Sequence, residues 1–138
     1  EQVFQTMREL KLTYPEAEQM FRRMVFNVLA TNYDDHTKNF AFRLKKDGRW
    51  ELSPAYDVCY AYNPTNQWLS QQTLSVNGKR QGIKPSDLIT IAKANNIKKG
   101  ESIIQEINYT VKNWSDFARL AKVRDAKIKD IKRNHNTF

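Results

Sequence analysis

Cysteine is almost missing from this 138-residue chain: Cys59 is the only one. That excludes an intrachain disulfide framework and a cysteine-built zinc site. Its neighbours Val58, Tyr60 and Ala61 lead us to expect a buried, inert thiol. Glycine is scarce too. Gly48, Gly78, Gly82 and Gly100 are scattered, and none belongs to a glycine-rich loop of the kind that cradles phosphate. No apolar run approaches the roughly 18 residues of a membrane helix, and the start has no secretory-signal stretch. We therefore expect a cytoplasmic protein with no membrane contact. Glu1 stands where an initiator Met would be, yet Val3, Phe4, Met7 and Leu10 already recur at helical spacing. The chain is accordingly expected to be a piece of a longer parent.

What is present suffices for one domain spanning residues 1–138. The chain is 40% hydrophobic, with three Trp, six Tyr and seven Phe, enough to fill a core. The net charge of +8 is unevenly spread: residues 1–83 carry 11 Lys and Arg against 9 Asp and Glu, residues 84–138 carry 12 against 6. Seven cations, Arg119, Lys122, Arg124, Lys127, Lys129, Lys132 and Arg133, crowd one C-terminal stretch. Such a stretch suits a phosphate backbone or an acidic protein, and equally a solvated helix face.

Periodicity predicts a helix from about Pro15 to Ala30, with Pro15 at its start, Glu16 and Glu18 in the first turn and Phe21, Met24, Val25 and Val28 on one apolar face. A polar stretch, Thr31 to Asn39, follows. Then Phe40 to Leu44 and Arg49 to Leu52 alternate around Lys46-Asp47-Gly48, which predicts a hairpin. Residues 63–82 are rich in Gln, Asn and Pro, with one expected strand, Thr73 to Val76. Pro85-Ser86-Asp87 opens a helix to about Ala94. Ile104, Ile107, Val111, Trp114, Ala118 and Ala121 recur in steps of three and four, the stripe of a single longer core helix. Asp125 to Asn134, anchored only by Ile128 and Ile131, reads as a peripheral helix. The fold class is mainly α with a small β-hairpin.

The chemistry is concentrated in Asp34-Asp35-His36-Thr37-Lys38-Asn39 and in Asp57 of Ser53-Pro54-Ala55-Tyr56-Asp57. An Asp, an Asn five positions on and a second Asp beyond a hairpin is the spacing with which protein kinases hold a substrate hydroxyl and magnesium. A hairpin that returns to the loop would bring Asp34, Asn39 and Asp57 together. Asp34 then accepts the hydroxyl proton, and the Asn39 carbonyl and Asp57 carboxylate offer hard oxygen ligands to Mg²⁺. Lys38 suits a transferring phosphoryl group, and His36 suits either orientation of the loop or a phosphate contact; both also read as solvent-facing loop residues. Asp35 reads as a residue that caps or solvates the loop. His135 lies in a polar tail and is expected to take no part. A metal-dependent hydrolase using His36 with Asp34 and Asp35 is the weaker alternative, because adjacent carboxylates point apart. A module that binds DNA or a protein partner through the basic stretch, with an idle acidic pocket, is the other.

The segments Asn32 to Phe40 and Gly48 to Asp57 resemble the catalytic and metal-binding segments of the HipA family, the kinase toxins of bacterial toxin–antitoxin pairs. The resemblance covers about residues 20–60 by motif and the rest by element order. It implies a protein-kinase-like C-terminal lobe and phosphorylation of a serine or threonine on a target protein, often an aminoacyl-tRNA synthetase. Restraint by a DNA-binding HipB-like antitoxin is implied as well, with operator DNA reached through that complex or the basic stretch. Residue by residue, it makes Asp34 the base, Asn39 and Asp57 the Mg²⁺ ligands, and His36, Lys38 and Tyr56 neighbours of ATP. His36 replaces the Lys that many protein kinases carry two residues after the base, and Tyr56-Asp57-Val58 stands for Asp-Phe-Gly. No segment supplies the nucleotide-covering lobe, so this chain alone is expected to have negligible activity.

Overall fold

The computed structural model describes residues 2–138. Helix α1 (Gln2–Glu9) leads into α2 (Tyr14–Leu29), and a short 3₁₀ turn (Thr37–Asn39) precedes strands β1 (Phe42–Leu44) and β2 (Trp50–Leu52). Four helices complete the chain: α3 (Pro85–Ala94), α4 (Gly100–Lys112), α5 (Trp114–Leu120) and α6 (Asp125–Asn134). The architecture is thus mainly helical with one antiparallel hairpin, and among the described residues no helix is long and apolar enough to cross a membrane.

Helix α2 is the centre of the core. Met20, Phe21, Val25, Val28 and Leu29 are buried on it and pack with Leu88, Ile91 and Ala92 of α3 and with Ile103, Ile104, Ile107 and Val111 of α4. The expected apolar face is thus the buried one, with Met24 packed partly buried at its edge. At the start of α2 the Thr13 amide and hydroxyl both donate to Glu16 Oε2 (2.8 and 2.6 Å), while Glu16 Oε1 accepts from Leu52 N (2.8 Å). One carboxylate therefore caps the helix and holds the hairpin. Burial pulls its pKa up, and these hydrogen bonds more than offset it, holding the carboxyl below its usual range.

With so few glycines, helix ends that need a left-handed residue use others. Lys11 (φ 56°), Thr31 (φ 60°), Asn96 (φ 58°) and Lys122 (φ 57°) follow α1, α2, α3 and α5, and each is passed by a backbone bond that closes the end, such as Asn32 N to Asn27 O at 2.9 Å. Thr31 is the costly one, since a β-branched residue is disfavoured there. Its hydroxyl donates to Asn134 O (2.7 Å), so α6 holds the turn that starts the polar loop.

The hairpin pairs Phe42 with Leu52, Arg43 with Glu51 and Leu44 with Trp50. Gly48, at φ 81°, makes the turn. Glu51 receives both Arg43 and Lys45, the latter at 3.2 Å.

Two expected elements are absent. Thr73 to Val76 is not a strand; only an isolated bridge, Val76 to Lys79, occurs there. The Thr73 and Leu74 amides are taken instead by Tyr33 O and the Asp35 carboxylate. The stripe from Ile104 to Ala121 is two helices, not one. Asn113 breaks it: its backbone leaves the helical range at φ −86° and ψ 13°, and its side-chain amide folds back to Tyr109 O at 3.0 Å, ending α4. Ala118 is buried on α5, but Ala121 is exposed.

A close contact fixes how α3 and α4 cross. A Cβ at Gly100 would lie 2.5 Å from Ala92 Cβ. Gly100→Ala is therefore expected to lower stability by about 1–3 kcal/mol, although alanine is intrinsically the better helix former. Urea unfolding measures this, and Ala92→Gly in the same chain should restore part of the loss; an unchanged midpoint would mean the helices do not approach so closely.

Candidate active site

The polar loop leaves α2 through a buried pair, Asn32 Nδ2 donating to Asn27 Oδ1 (3.1 Å). Alongside it runs the chain after the hairpin. Asn32 forms a parallel bridge with Ala61, Ala61 N donates to Thr31 O (3.2 Å) and Tyr33 N to Ala61 O (3.0 Å). Farther along the loop, Tyr56 Oη donates to Lys38 O (2.7 Å). Segment 56–61 is therefore laced to both ends of the loop, and Asp57 lies between the laces. Arg23 of α2 seats its start by donating to Ser53 O (2.7 Å).

Partial burial, and after it the negative charges of Asp57 and of Asp34, push the pKa of the Cys59 thiol above its ordinary value. Cys59 itself is exposed, contrary to the expectation from its apolar neighbours, because segment 56–59 rides on the surface rather than in the core. The raised pKa does keep it a poor nucleophile.

Each expected site residue has a definite place. Asp34 is exposed and Asn39 half-buried, and Asn39 Nδ2 donates to Asp34 O (2.8 Å), which fixes their relative position and leaves Asn39 Oδ1 with no hydrogen bond among the described residues. Asp57 is exposed and held at φ 51°, a left-handed conformation that Asp tolerates better than most residues but at some cost. His36 Nδ1 accepts from Lys38 N (3.1 Å), so the imidazole caps the 3₁₀ turn and orients the loop. Lys38 extends to solvent, and Tyr56 carries the lace described above.

Charge is distributed unusually here. Among the described residues the ion pairs use Glu51, Asp47, Asp87, Glu106, Asp116 and Asp130. Asp34 and Asp57 are in none of these, although cations outnumber acids in this chain. Among the described residues no group of three or more His, Cys, Asp and Glu side chains converges as a metal cage. The donor set is an amide oxygen and a carboxylate, suited to a hard cation that completes its shell with water and phosphate oxygens.

Asp35 corrects the expectation of a capping or solvated residue. It is 5% exposed and points inward while Asp34 points out. Its Oδ1 accepts from Thr73 N (2.8 Å) and Leu74 N (3.1 Å). Two adjacent carboxylates in a loop were the only sequence signal that one must turn inward. Their divergence also removes the ligand triplet of Asp34, Asp35 and His36 that a hydrolase would use. His135, set aside as a tail residue, is half-buried and meets Trp114 and Tyr60 edge-on. It lines an apolar cavity of about 430 Å³ with Phe26, Val58, Trp114 and Phe117; none of Asp34, Asn39 or Asp57 faces that cavity.

The fold is thus a helical domain in which a polar loop carrying Asp34 and Asn39 is laced to the hairpin exit that carries Asp57. The chain matches the HipA-like C-terminal domain over residues 1–115 and belongs to that family. Residues 116–138, most of α5 and all of α6, lie outside the match. Comparison with curated proteins and with solved structures gave no match.

Proposed function

We propose that this chain is the C-terminal catalytic lobe of a HipA-like serine/threonine protein kinase, supplying base and magnesium ligands for ATP-dependent phosphorylation of a protein. The observation that supports this reading is the lacing of segment 56–61 to loop 31–39, which ties the stretch carrying Asp57 to the loop carrying Asp34 and Asn39. Asp34 accepts the proton of the acceptor hydroxyl and points it in line. Asn39, through Oδ1, and Asp57, through its carboxylate, would hold Mg²⁺, which when bound neutralises charge on the phosphates. Lys38 reaches toward the transferred group, while His36 and Tyr56 fix the loop that carries these residues. In the same reading, contacts over the nucleotide come from a lobe outside these residues, since Gly48, Gly78 and Gly82 sit in separate turns. A HipB-like antitoxin and a protein substrate such as an aminoacyl-tRNA synthetase are the partners it implies. The exposed Lys122, Arg124, Lys127, Lys129 and Lys132 suit operator DNA or an acidic partner surface.

Mn²⁺, a paramagnetic substitute for Mg²⁺, tests the metal pair. Titrated into residues 1–138, it should broaden the amide NMR signals near Asn39 and Asp57 first, and Asp57→Ala should remove that selectivity. Broadening first around Glu51 or Asp116, or none, would overturn the assignment.

A further inference from the structure

We propose that Asp35 is a positioning residue for this site: its buried carboxylate pins the 34–39 loop to segment 72–74 and so fixes where Asp34 and Asn39 stand. The inference rests on the kinase reading for its purpose, while its geometry is independent of it. Besides the two amides on Oδ1, the Gln72 side-chain amide, with its nitrogen turned toward the acceptors, donates to Asp35 Oδ2 (3.3 Å) and Asn32 O (3.2 Å). Segment 72–74 is itself anchored: Arg80 Nε donates to Gln72 O (2.6 Å), Gln72 N to Arg80 O (3.0 Å), and Thr73 Oγ1 to Tyr33 O (2.9 Å). Asp34 thus has a fixed point on each side, the inward Asp35 side chain and the Asn39 amide on its own carbonyl. Without the first, the stretch between Tyr33 and the 3₁₀ turn has no side chain rooted in the interior.

The carboxylate is kept there against stability. Burial pushes its pKa up to about 6 from 3.8, against the lowering effect of the Leu74 and Thr73 amides and, more weakly, of Arg80. A group whose folded pKa is raised contributes stability in full below its unfolded value and loses it as pH rises through the folded one. At neutral pH the ionised Asp35 is therefore a net cost, while its charge strengthens the amide bonds that pin the loop. The charged and titratable groups near it are Arg80 on the facing segment and Asp34 and His36 on its own loop.

A role in holding the loop separates from a role in holding the fold by where amide exchange changes. Asp35→Asn keeps the Oδ1 acceptor for the Thr73 and Leu74 amides and removes the charge, while its Nδ2 replaces the Oδ2 that faces Gln72. Amide hydrogen exchange at Lys38 and Asn39 should stay near wild type in Asp35→Asn. In Asp35→Ala it should quicken roughly tenfold while α2 amides such as Val25 are unchanged. Mn²⁺ affinity should fall roughly tenfold in Asp35→Ala and be rescued in Asp35→Asn. Asp35→Ala exchange unchanged at Lys38 and Asn39, or raised uniformly along the chain, would overturn the proposal. Should the wild type not bind Mn²⁺ near Asn39, the kinase reading fails, and the exchange data alone still decide whether Asp35 holds the loop.

Discussion

If the proposed kinase reading holds, Asp34→Asn in a protein that joins this chain to a nucleotide-covering lobe is expected to lower phosphoryl transfer by roughly 10²- to 10⁴-fold, the range that a positioned general base contributes. Asparagine has nearly the same shape, so the acceptor hydroxyl still fits, but it takes up no proton. The side chain is exposed, and the bond from Asn39 reaches the Asp34 backbone carbonyl rather than its carboxylate, so the loop geometry does not depend on the charge. Thermal unfolding and Mn²⁺ binding should consequently match wild type while turnover collapses. Transfer of labelled phosphate from ATP to the protein acceptor is the measurement; normal turnover would remove Asp34 from its role. The loss should appear in kcat more than in KM, because the proton is taken in the transition state and not on binding.

Phe21→Ala is the second large effect. Phe21 is wholly buried on α2, and its Cε1 lies 3.9 Å from where a Cβ on Gly100 would stand, so it fills the place where α2, α3 and α4 meet. Truncation there costs about 3–5 kcal/mol. For a domain whose whole stability is about 5–15 kcal/mol, that loss leaves little margin. The urea midpoint should fall steeply and, because α2 runs directly into the loop at Thr31, Mn²⁺ binding near Asn39 should be lost as the fold is. A loss below about 1 kcal/mol would mean that this cluster is not the core.

The elements that were legible share a physical character. The apolar face of α2, the alternation across Gly48 and the proline-led start of α3 are local signals, each written within a few turns of chain, and they survive because local propensity and tertiary packing agree. Where the two disagreed, packing or polar satisfaction won. The stripe from Ile104 to Ala121 kept its period across Asn113, yet that residue, at ψ 13° with its side-chain amide folded back on Tyr109 O, ended the helix. The β-prone run at Thr73 found no strand partner, and its amides went to Tyr33 and Asp35. Cys59 has apolar neighbours in sequence but lies on a segment whose burial is set by what the hairpin exit must reach.

The sequence by itself determined the residue types of the candidate site and their spacing, the two carboxylates and the amide oxygen that the proposed hydroxyl activation and magnesium binding would use. It also determined the helical class through the apolar period of α2, α3 and α4. Only the tertiary structure decided which of two adjacent carboxylates faces solvent. That choice depends on amides from residues 73 and 74, nearly forty positions away, and no local pattern encodes a hydrogen-bond partner so distant along the chain. The approach of Asp57 to the loop is of the same kind: it rests on Ala61 lying beside Asn32 and on the Tyr56 hydroxyl reaching Lys38, long-range bonds that exist only once α2 and the hairpin have packed.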